Sequence, residues 1–149
     1  MKYRISLSVL LGLLLIALSG IWFFHRWETR APVQVFPATV DRDCAPWDGG
    51  AFAVSIPLSD GTTLYISIYQ SPDIKLPSSF SFPDESMREG HALLLLPVGS
   101  PEQLAGKVWF QRVEEGTPVE GRFQLRSEAG AQIEGRFVAE WGDKIVYCG

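Results

Sequence analysis

Residues Thr117–Trp141 read TPVEGRFQLRSEAGAQIEGRFVAEW and contain one phrase twice, V-E-G-R-F at 119–123 and I-E-G-R-F at 133–137. Around both copies, apolar or glycine positions alternate with charged or polar positions. A period of two with one apolar and one charged face is typical of a half-buried β-strand. The connecting residues Glu128-Ala129-Gly130 suit a three-residue hairpin loop in which Gly130 takes the left-handed conformation. This stretch therefore predicts a β-hairpin at the centre of a small β domain.

The loop fixes the register of this hairpin. Its length predicts three core-facing pairs: Leu125 with Ile133, Phe123 with Gly135, and Phe137 with Gly121. Each glycine then lies beneath a phenylalanine of the partner strand, which compensates for the weak strand propensity of glycine. On the outer face Arg122 is opposite Arg136, with Glu120 and Glu134 as diagonal neighbours. This favours a solvated ladder of alternating charges over a pair of arginines that binds an anion.

A second hairpin is predicted between residues 52 and 68. Apolar residues alternate along 52–58 and again along 64–68, and Ser59-Asp60-Gly61 between them has the same loop design. This loop predicts that Ile56 pairs with Leu64 and Val54 with Ile66. Further short strands are expected at Ser79–Phe82, His91–Val98, Gly106–Val113 and Lys144–Cys148. About seven strands joined by glycine-rich turns predict an all-β fold, a small and mostly antiparallel β-sandwich or barrel.

The N-terminus predicts a membrane helix. Residues 5–24 are twenty residues without a charge, which as a helix span about 30 Å, one hydrocarbon core. Lys2 and Arg4 precede this run, and the excess of positive charge favours a cytoplasmic N-terminus. A cleaved signal peptide with a cut before Gly20 is the alternative, but the apolar run continues to Phe24. Residues 1–28 are therefore predicted to be an uncleaved anchor, and the membrane is a predicted partner through residues 5–24.

The two cysteines mark the ends of the domain. Residues 29–43, with Pro32 and Pro37, are predicted to be a linker, either an extended stalk or an incoming strand, and residues 44–149 the exported β domain. Cys44 and Cys148 are the only cysteines of the chain, which predicts a disulfide that joins the two ends of the domain. The expected location is the cell membrane, with the C-terminal domain on the periplasmic or extracellular side.

The charge of the chain argues against nucleic acid as a partner. The whole chain has 13 basic and 17 acidic residues. Residues 1–30 hold four of the basic residues and one of the acidic residues. Residues 31–149 therefore hold 9 basic and 16 acidic residues and carry a net charge of −7. Nucleic-acid-binding domains present a basic patch or stripe instead.

The residues needed for most enzymatic sites are missing. His91 is the one histidine of residues 31–149, and there is no G-x-S-x-G elbow, P-loop or G-x-G-x-x-G motif. With both cysteines paired, a Cys-His site and a zinc site lack their residues. A two-carboxylate hydrolase can be assembled from 16 acids, but no spacing among them favours a particular pair. We therefore expect no enzymatic activity, no cofactor and no catalytic or metal site.

The favoured function is a non-catalytic binding or interaction module that one helix holds at a membrane. Trp and Tyr are frequent at binding hot spots, and five such residues stand out in the domain: Trp47, Tyr65, Tyr69, Trp109 and Trp141. Tyr65, Tyr69 and Trp109 are the predicted binding surface, for an unidentified protein or glycan, since both tyrosines fall opposite the apolar parity of their strand. The alternative for the two tyrosines is that they cover a second core layer under the middle loop at 71–89. The alternative function is a structural accessory subunit of a membrane complex, recognised through its transmembrane helix.

Overall fold

The computed structural model of the 149-residue chain describes residues 33–72, 79–84, 86 and 88–148. These residues form nine strands: β1 (Val35–Cys44), β2 (Gly50–Pro57), β3 (Thr63–Ile68), β4 (Ser79–Phe82), β5 (Gly90–Leu95), β6 (Glu102–Gln103), β7 (Ala105–Arg112), β8 (Val119–Arg126) and β9 (Gln132–Trp141). In this part of the chain we find no helix long and apolar enough to cross a membrane. The predicted anchor, residues 1–28, lies outside the described residues and stays a prediction.

The nine strands form one curled sheet, a half-barrel, in the order β4-β7-β8-β9-β1-β2-β3-β5-β6. All neighbours are antiparallel except β1 and β9, whose parallel pairing runs from Val35 beside Arg136 to Val40 beside Trp141. Only Leu104 separates β6 from β7 in the sequence, and its N–H donates to a carbonyl of β5. The chain thus passes directly from β6 at one edge of the sheet to β7 beside the other edge. The predicted all-β, mostly antiparallel fold is confirmed.

Both predicted hairpins are confirmed with their registers. In β8–β9 the pairs are Leu125 with Ile133, Phe123 with Gly135, Gly121 with Phe137 and Arg122 with Arg136; in β2–β3 they are Ile56 with Leu64 and Val54 with Ile66. The two loops share one design. In each, the residue after the first strand accepts a hydrogen bond from a glycine three residues on, and that glycine, Gly61 or Gly130, has φ near +81° or +87°. A non-glycine residue rarely adopts this conformation.

The interior of the half-barrel is packed with phenylalanine rings. Four of them are at most 1% exposed: Phe52, Phe80, Phe123 and Phe137. Phe110 meets three of these rings edge to face, with centroids 5.5–5.8 Å apart. Full burial of one such side chain contributes roughly 1.5–3 kcal/mol of transfer free energy. These rings form the centre of the core between the strands of the curled sheet.

The predicted pairing of glycine with phenylalanine is also confirmed. A Cβ atom on Gly121 would clash with the Phe137 ring and lie 2.7 Å from the carbonyl oxygen of Trp109. A Cβ atom on Gly135 would lie 2.5 Å from the Phe36 ring and 3.1 Å from that of Phe123. The repeated E-G-R-F phrase therefore has a packing function on its inner face, where glycine leaves room for an aromatic ring.

Of the two alternatives for the linker at 29–43, the incoming strand is present: Val35–Cys44 form β1 and belong to the sheet. Two predictions of detail differ from the structure. Lys144–Cys148, predicted as a strand, have no regular secondary structure. The described strands number nine rather than about seven, because β1 and the two-residue β6 are added, and they form one curled sheet rather than a two-sheet sandwich.

The predicted disulfide is present in the structure. Cys44 and Cys148 are bonded, with Cα atoms 5.5 Å apart and a sequence separation of 104. N-terminal to Cys148 in the sequence, the N–H of Gly142 donates to the carbonyl oxygen of Val40 at 2.8 Å. The bridge therefore ties the C-terminal segment to the end of β1.

Candidate functional site

Three small side chains on the outward face of β2 and β3 are buried although they point away from the core. Ala51, Ala53 and Ser67 are 2%, 4% and 1% exposed. They alternate with core residues such as Phe52, and Ala53 is opposite Ser67 in the register. Their burial means that larger side chains cover the outer face here.

The first of these larger side chains is Tyr65. Its hydroxyl donates a 2.9 Å hydrogen bond to Oδ2 of Asp43 on β1, although β2 lies between β1 and β3. Tyr65 is paired with Ser55, whereas Asp43 is paired with Ala51, four residues away along β2. The phenol ring must therefore lie diagonally over β2, across Ala53, to reach the carboxylate.

The second is Tyr69, at the end of β3. Its hydroxyl lies 2.7 Å from Nδ1 of His91, which is on β5 directly opposite Ser67. The ring of Tyr65 also approaches the imidazole, with centroids 6.0 Å apart. Two tyrosines from either side of Ser67 thus converge on one histidine.

Trp47 completes the group from the turn between β1 and β2. Its ring meets Tyr69 at 83° with centroids 5.5 Å apart, and 52% of the residue is exposed. The turn is held by hydrogen bonds from the N–H of Ala45 to the carbonyl of Gly49 and from Asp48 to Ala45. We call the five residues Asp43, Trp47, Tyr65, Tyr69 and His91 the outer aromatic cluster.

The cluster has one fixed negative charge. Oδ1 of Asp43 accepts a hydrogen bond from the N–H of Cys44 at 2.9 Å, while Oδ2 accepts the bond from Tyr65. Cys44 is itself held by the disulfide. The carboxylate therefore has little freedom to rotate, and each of its oxygens keeps a second lone pair.

Burial and the Asp43 charge shift the titration of the neighbouring groups. Desolvation, followed by the hydrogen bond to Asp43, raises the pKa of Tyr65, so its hydroxyl stays a donor at every physiological pH. Burial, and after it the negative charge of Asp43, also raises the pKa of Tyr69. Desolvation lowers the pKa of His91 while the Asp43 charge acts in the opposite direction. The net effect is that His91 releases its proton more readily than an exposed histidine.

Ser67 lies beneath the cluster with its polar atom unused. Its Oγ is buried and has no hydrogen-bond partner among the described residues. A buried hydroxyl without a partner costs roughly 1–3 kcal/mol.

The structure separates Trp109 from the two tyrosines of the predicted binding surface. Trp109 is on β7, paired with Ser79 of β4 and Arg122 of β8, and the guanidinium of Arg122 lies 4.4 Å from its ring centroid. On the sheet β7 is separated from β3 by β8, β9, β1 and β2. Trp141 is also elsewhere, with its indole N–H bonded to the carbonyls of Glu114 and Thr117.

Two grooves on the described surface contain no member of the cluster. One, of about 530 Å³, lies at the ends of β7, β8 and β9 and is bordered by both polar residues, such as Lys107 and Glu134, and apolar residues, such as Leu125 and Ile133. The other, of about 440 Å³, lies beside the ion pair of Arg42 with Glu115 and the C-terminal segment. The described residues contain no group of three or more His, Cys, Asp or Glu side chains placed to hold a metal ion.

No family model, curated protein or solved structure matches the chain. The sequence pointed to Tyr65 and Tyr69 through their parity on β3, and to Trp47 through its type. It did not place Asp43 and His91 beside them, because these two residues reach the site through the pairing of β1 and β5 on either side of the β2–β3 hairpin. A polar residue at an outward position of each flanking strand was the available signal.

Proposed function

We propose that this protein is a single-pass membrane-anchored binding module, with its β domain outside the cytoplasm and its ligand held on the outer aromatic cluster. The observation that carries the proposal is the half-exposed Trp47 ring fixed edge to face on Tyr69, whose hydroxyl is in turn tied to His91. Aromatic rings that neighbours hold in place lose little conformational entropy on binding, which is one reason why they dominate binding hot spots.

Two observations support the proposed location. The disulfide between Cys44 and Cys148 is consistent with an oxidising compartment outside the cytoplasm. The uncharged run at residues 5–24 has the length of a membrane span. Together they favour a domain that is exported and kept at the membrane surface.

A non-catalytic role is supported by how the polar groups of the cluster are used. Both oxygens of Asp43 accept hydrogen bonds from the protein, and Nδ1 of His91 is bonded to Tyr69. The hydroxyl nearest to His91 in register, that of Ser67, is buried. A nucleophile needs an exposed atom beside its base, and Ser67 does not meet this requirement.

Photo-cross-linking in native membranes tests this function. A photoreactive phenylalanine analogue at Trp47 is expected to give a specific adduct, and the same analogue at Val98, an exposed residue of the β5–β6 loop, none. Adding Tyr69→Ala to the Trp47 probe should remove the adduct, because the ring is then no longer held in position. Adducts formed only from probes within residues 5–24 would instead support the accessory subunit and contradict the proposal.

A further inference from the structure

We propose that the ligand of the outer aromatic cluster is a neutral carbohydrate, with one pyranose ring packed on the Trp47 indole. This inference rests on the proposed binding function and adds the class of ligand to it. Three features of the cluster carry it: an aromatic platform, a matched hydrogen-bond donor and acceptor, and the absence of basic residues within the cluster.

The platform is the ring of Trp47. About half of the residue is exposed, and the ring is fixed at 83° to that of Tyr69, so the two form a corner rather than a flat patch. One side of a pyranose ring presents several C–H groups, which pack against an electron-rich indole face as other apolar groups do. A corner of two rings also restricts how the sugar can turn.

The donor and the acceptor are His91 and Asp43. We take the Tyr69 hydroxyl as the donor to Nδ1, which places the imidazole hydrogen on Nε2; in the other tautomer Nδ1 donates and Nε2 is an acceptor, which a sugar hydroxyl also matches. Nε2 has no hydrogen-bond partner among the described residues. It is not one of the buried polar atoms that lack a partner there, so it is open to solvent. The free lone pairs of the Asp43 carboxylate supply the acceptor. Sugar hydroxyls both donate and accept hydrogen bonds, so they match this pair.

The charge around the cluster selects a neutral sugar. The cluster itself has one carboxylate and no Lys or Arg, and the charge of Asp41 also acts on Tyr65. An anionic glycan would be repelled, more so because residues 31–149 carry a net charge of −7. A quaternary ammonium ligand suits aromatic rings and a carboxylate, but it has no acceptor for the imidazole N–H. Of these three classes of ligand, the neutral sugar is the one that uses all three features.

The test is a titration of the full chain with neutral hexasaccharides of glucose and of N-acetylglucosamine, by calorimetry in a polyoxyethylene detergent, which contains no sugar. Binding in the range of about 10 μM to 10 mM is expected for a single exposed platform. Trp47→Ala should raise the dissociation constant about tenfold or more. Trp47→Phe should raise it less, because a smaller aromatic platform remains. Val98→Ser, the control, should leave it unchanged.

Three outcomes overturn the inference. In the first, neither sugar binds at about 10 mM. In the second, a sugar binds but Trp47→Ala and Tyr69→Ala leave its affinity unchanged. In the third, the protein binds tetramethylammonium or a sulfated glycan more tightly than the neutral sugars. If the sugars fail while the probe at Trp47 still gives its specific adduct, only the class of ligand is wrong. If both experiments fail, the proposed function falls as well.

Discussion

The hydroxyl of Tyr65 donates a 2.9 Å hydrogen bond to Asp43 from two strands away, across β2. This bond lays an aromatic side chain over Ala53 and fixes the carboxylate that faces the cluster. The outer face of β1, β2, β3 and β5 thereby becomes a built surface, with small residues buried beneath large ones. Elsewhere on the exterior, the β8–β9 hairpin presents alternating charged side chains to solvent.

The first prediction concerns this bond. Tyr65→Phe should lower the free energy of unfolding by about 1–2 kcal/mol, since the lost bond is made to a charged acceptor at a half-buried site. Urea denaturation of the full chain in mild detergent measures the change. A double-mutant cycle with Asp43→Asn should give a coupling energy of about 1 kcal/mol. Additive effects of the two substitutions would contradict the interaction.

The second prediction concerns Ser67. Ser67→Ala removes a buried hydroxyl that has no partner among the described residues, so stability should stay unchanged or rise by up to about 1 kcal/mol. Ser127→Ala is the matched control. Its Oγ accepts a hydrogen bond from the N–H of Ala131 in the β8–β9 loop, and its loss should cost about 0.5–1.5 kcal/mol. A clear loss of stability in Ser67→Ala would show that the hydroxyl is bonded.

The third prediction concerns the repeated hairpin. Gly121→Ala should lower stability by about 3 kcal/mol, because the added methyl group overlaps the Phe137 ring and the Trp109 carbonyl in a packed core. Gly116→Ala meets no atom within 4 Å, and its positive φ of 77° costs only about 1 kcal/mol. Thermal denaturation of the two variants compares these costs. Equal destabilisation would mean that the strand does not need space at position 121.

The fourth prediction concerns the disulfide. Replacing Cys44 and Cys148 together by serine removes a link across 104 residues and should lower stability by about 3–5 kcal/mol, an estimate from chain entropy. Hydrogen exchange should rise over residues 142–148, which lack regular structure and depend on the bridge. The wild-type protein under reducing conditions should behave like the double variant. Unchanged exchange in this segment would show that other contacts hold it.

The fifth prediction concerns pH. The pKa of His91 is lowered from its usual 6.5 by burial, so the folded protein binds this proton less readily than the unfolded chain. The stability from this group is therefore complete above about pH 6.5 and is lost as the pH falls through the lower folded pKa. Urea denaturation between about pH 7 and 5 should show a decline in stability that His91→Gln reduces. An equal decline in this variant would assign it to other groups.

Asp60 and Asp84 provide an internal control for the pH experiment. Hydrogen bonds from Thr62 lower the pKa of Asp60, and bonds from Ser86 and Glu89 lower that of Asp84 to about 2. Their contribution has the same sign but is lost only below about pH 4, near and below the usual carboxyl pKa. His91→Gln should leave this acidic part of the curve unchanged.

Local rules were sufficient for the hairpins. A three-residue loop with a left-handed glycine leaves one register, and alternation then decides which side chains face the core, as Phe123 and Gly135 show. β1 pairs locally with β2, but its other partner, β9, lies about 100 residues away and the pairing is parallel, which made the strand harder to recognise. Pro37 within β1 also weakened the local signal for a strand.

The candidate site was predicted only in part for the same reason. Tyr65 lies on β3 and Tyr69 directly follows this strand, so their shared parity was visible. Asp43 and His91 belong to strands on either side of the β2–β3 hairpin, and their place beside the tyrosines follows from sheet order, which alternation does not encode. Trp109 was grouped with the tyrosines by residue type alone, and sheet order places it on a separate part of the surface.

The most direct test of the outer aromatic cluster as the binding surface is the ¹⁵N–¹H spectrum of the five tryptophan indoles in the full chain. Titration with the hexasaccharide that binds should shift the Trp47 signal and broaden or shift no other indole signal, including those of Trp109 and Trp141. A shift confined to Trp109 or Trp141, or a saturated complex in which the Trp47 signal does not move, would contradict the account.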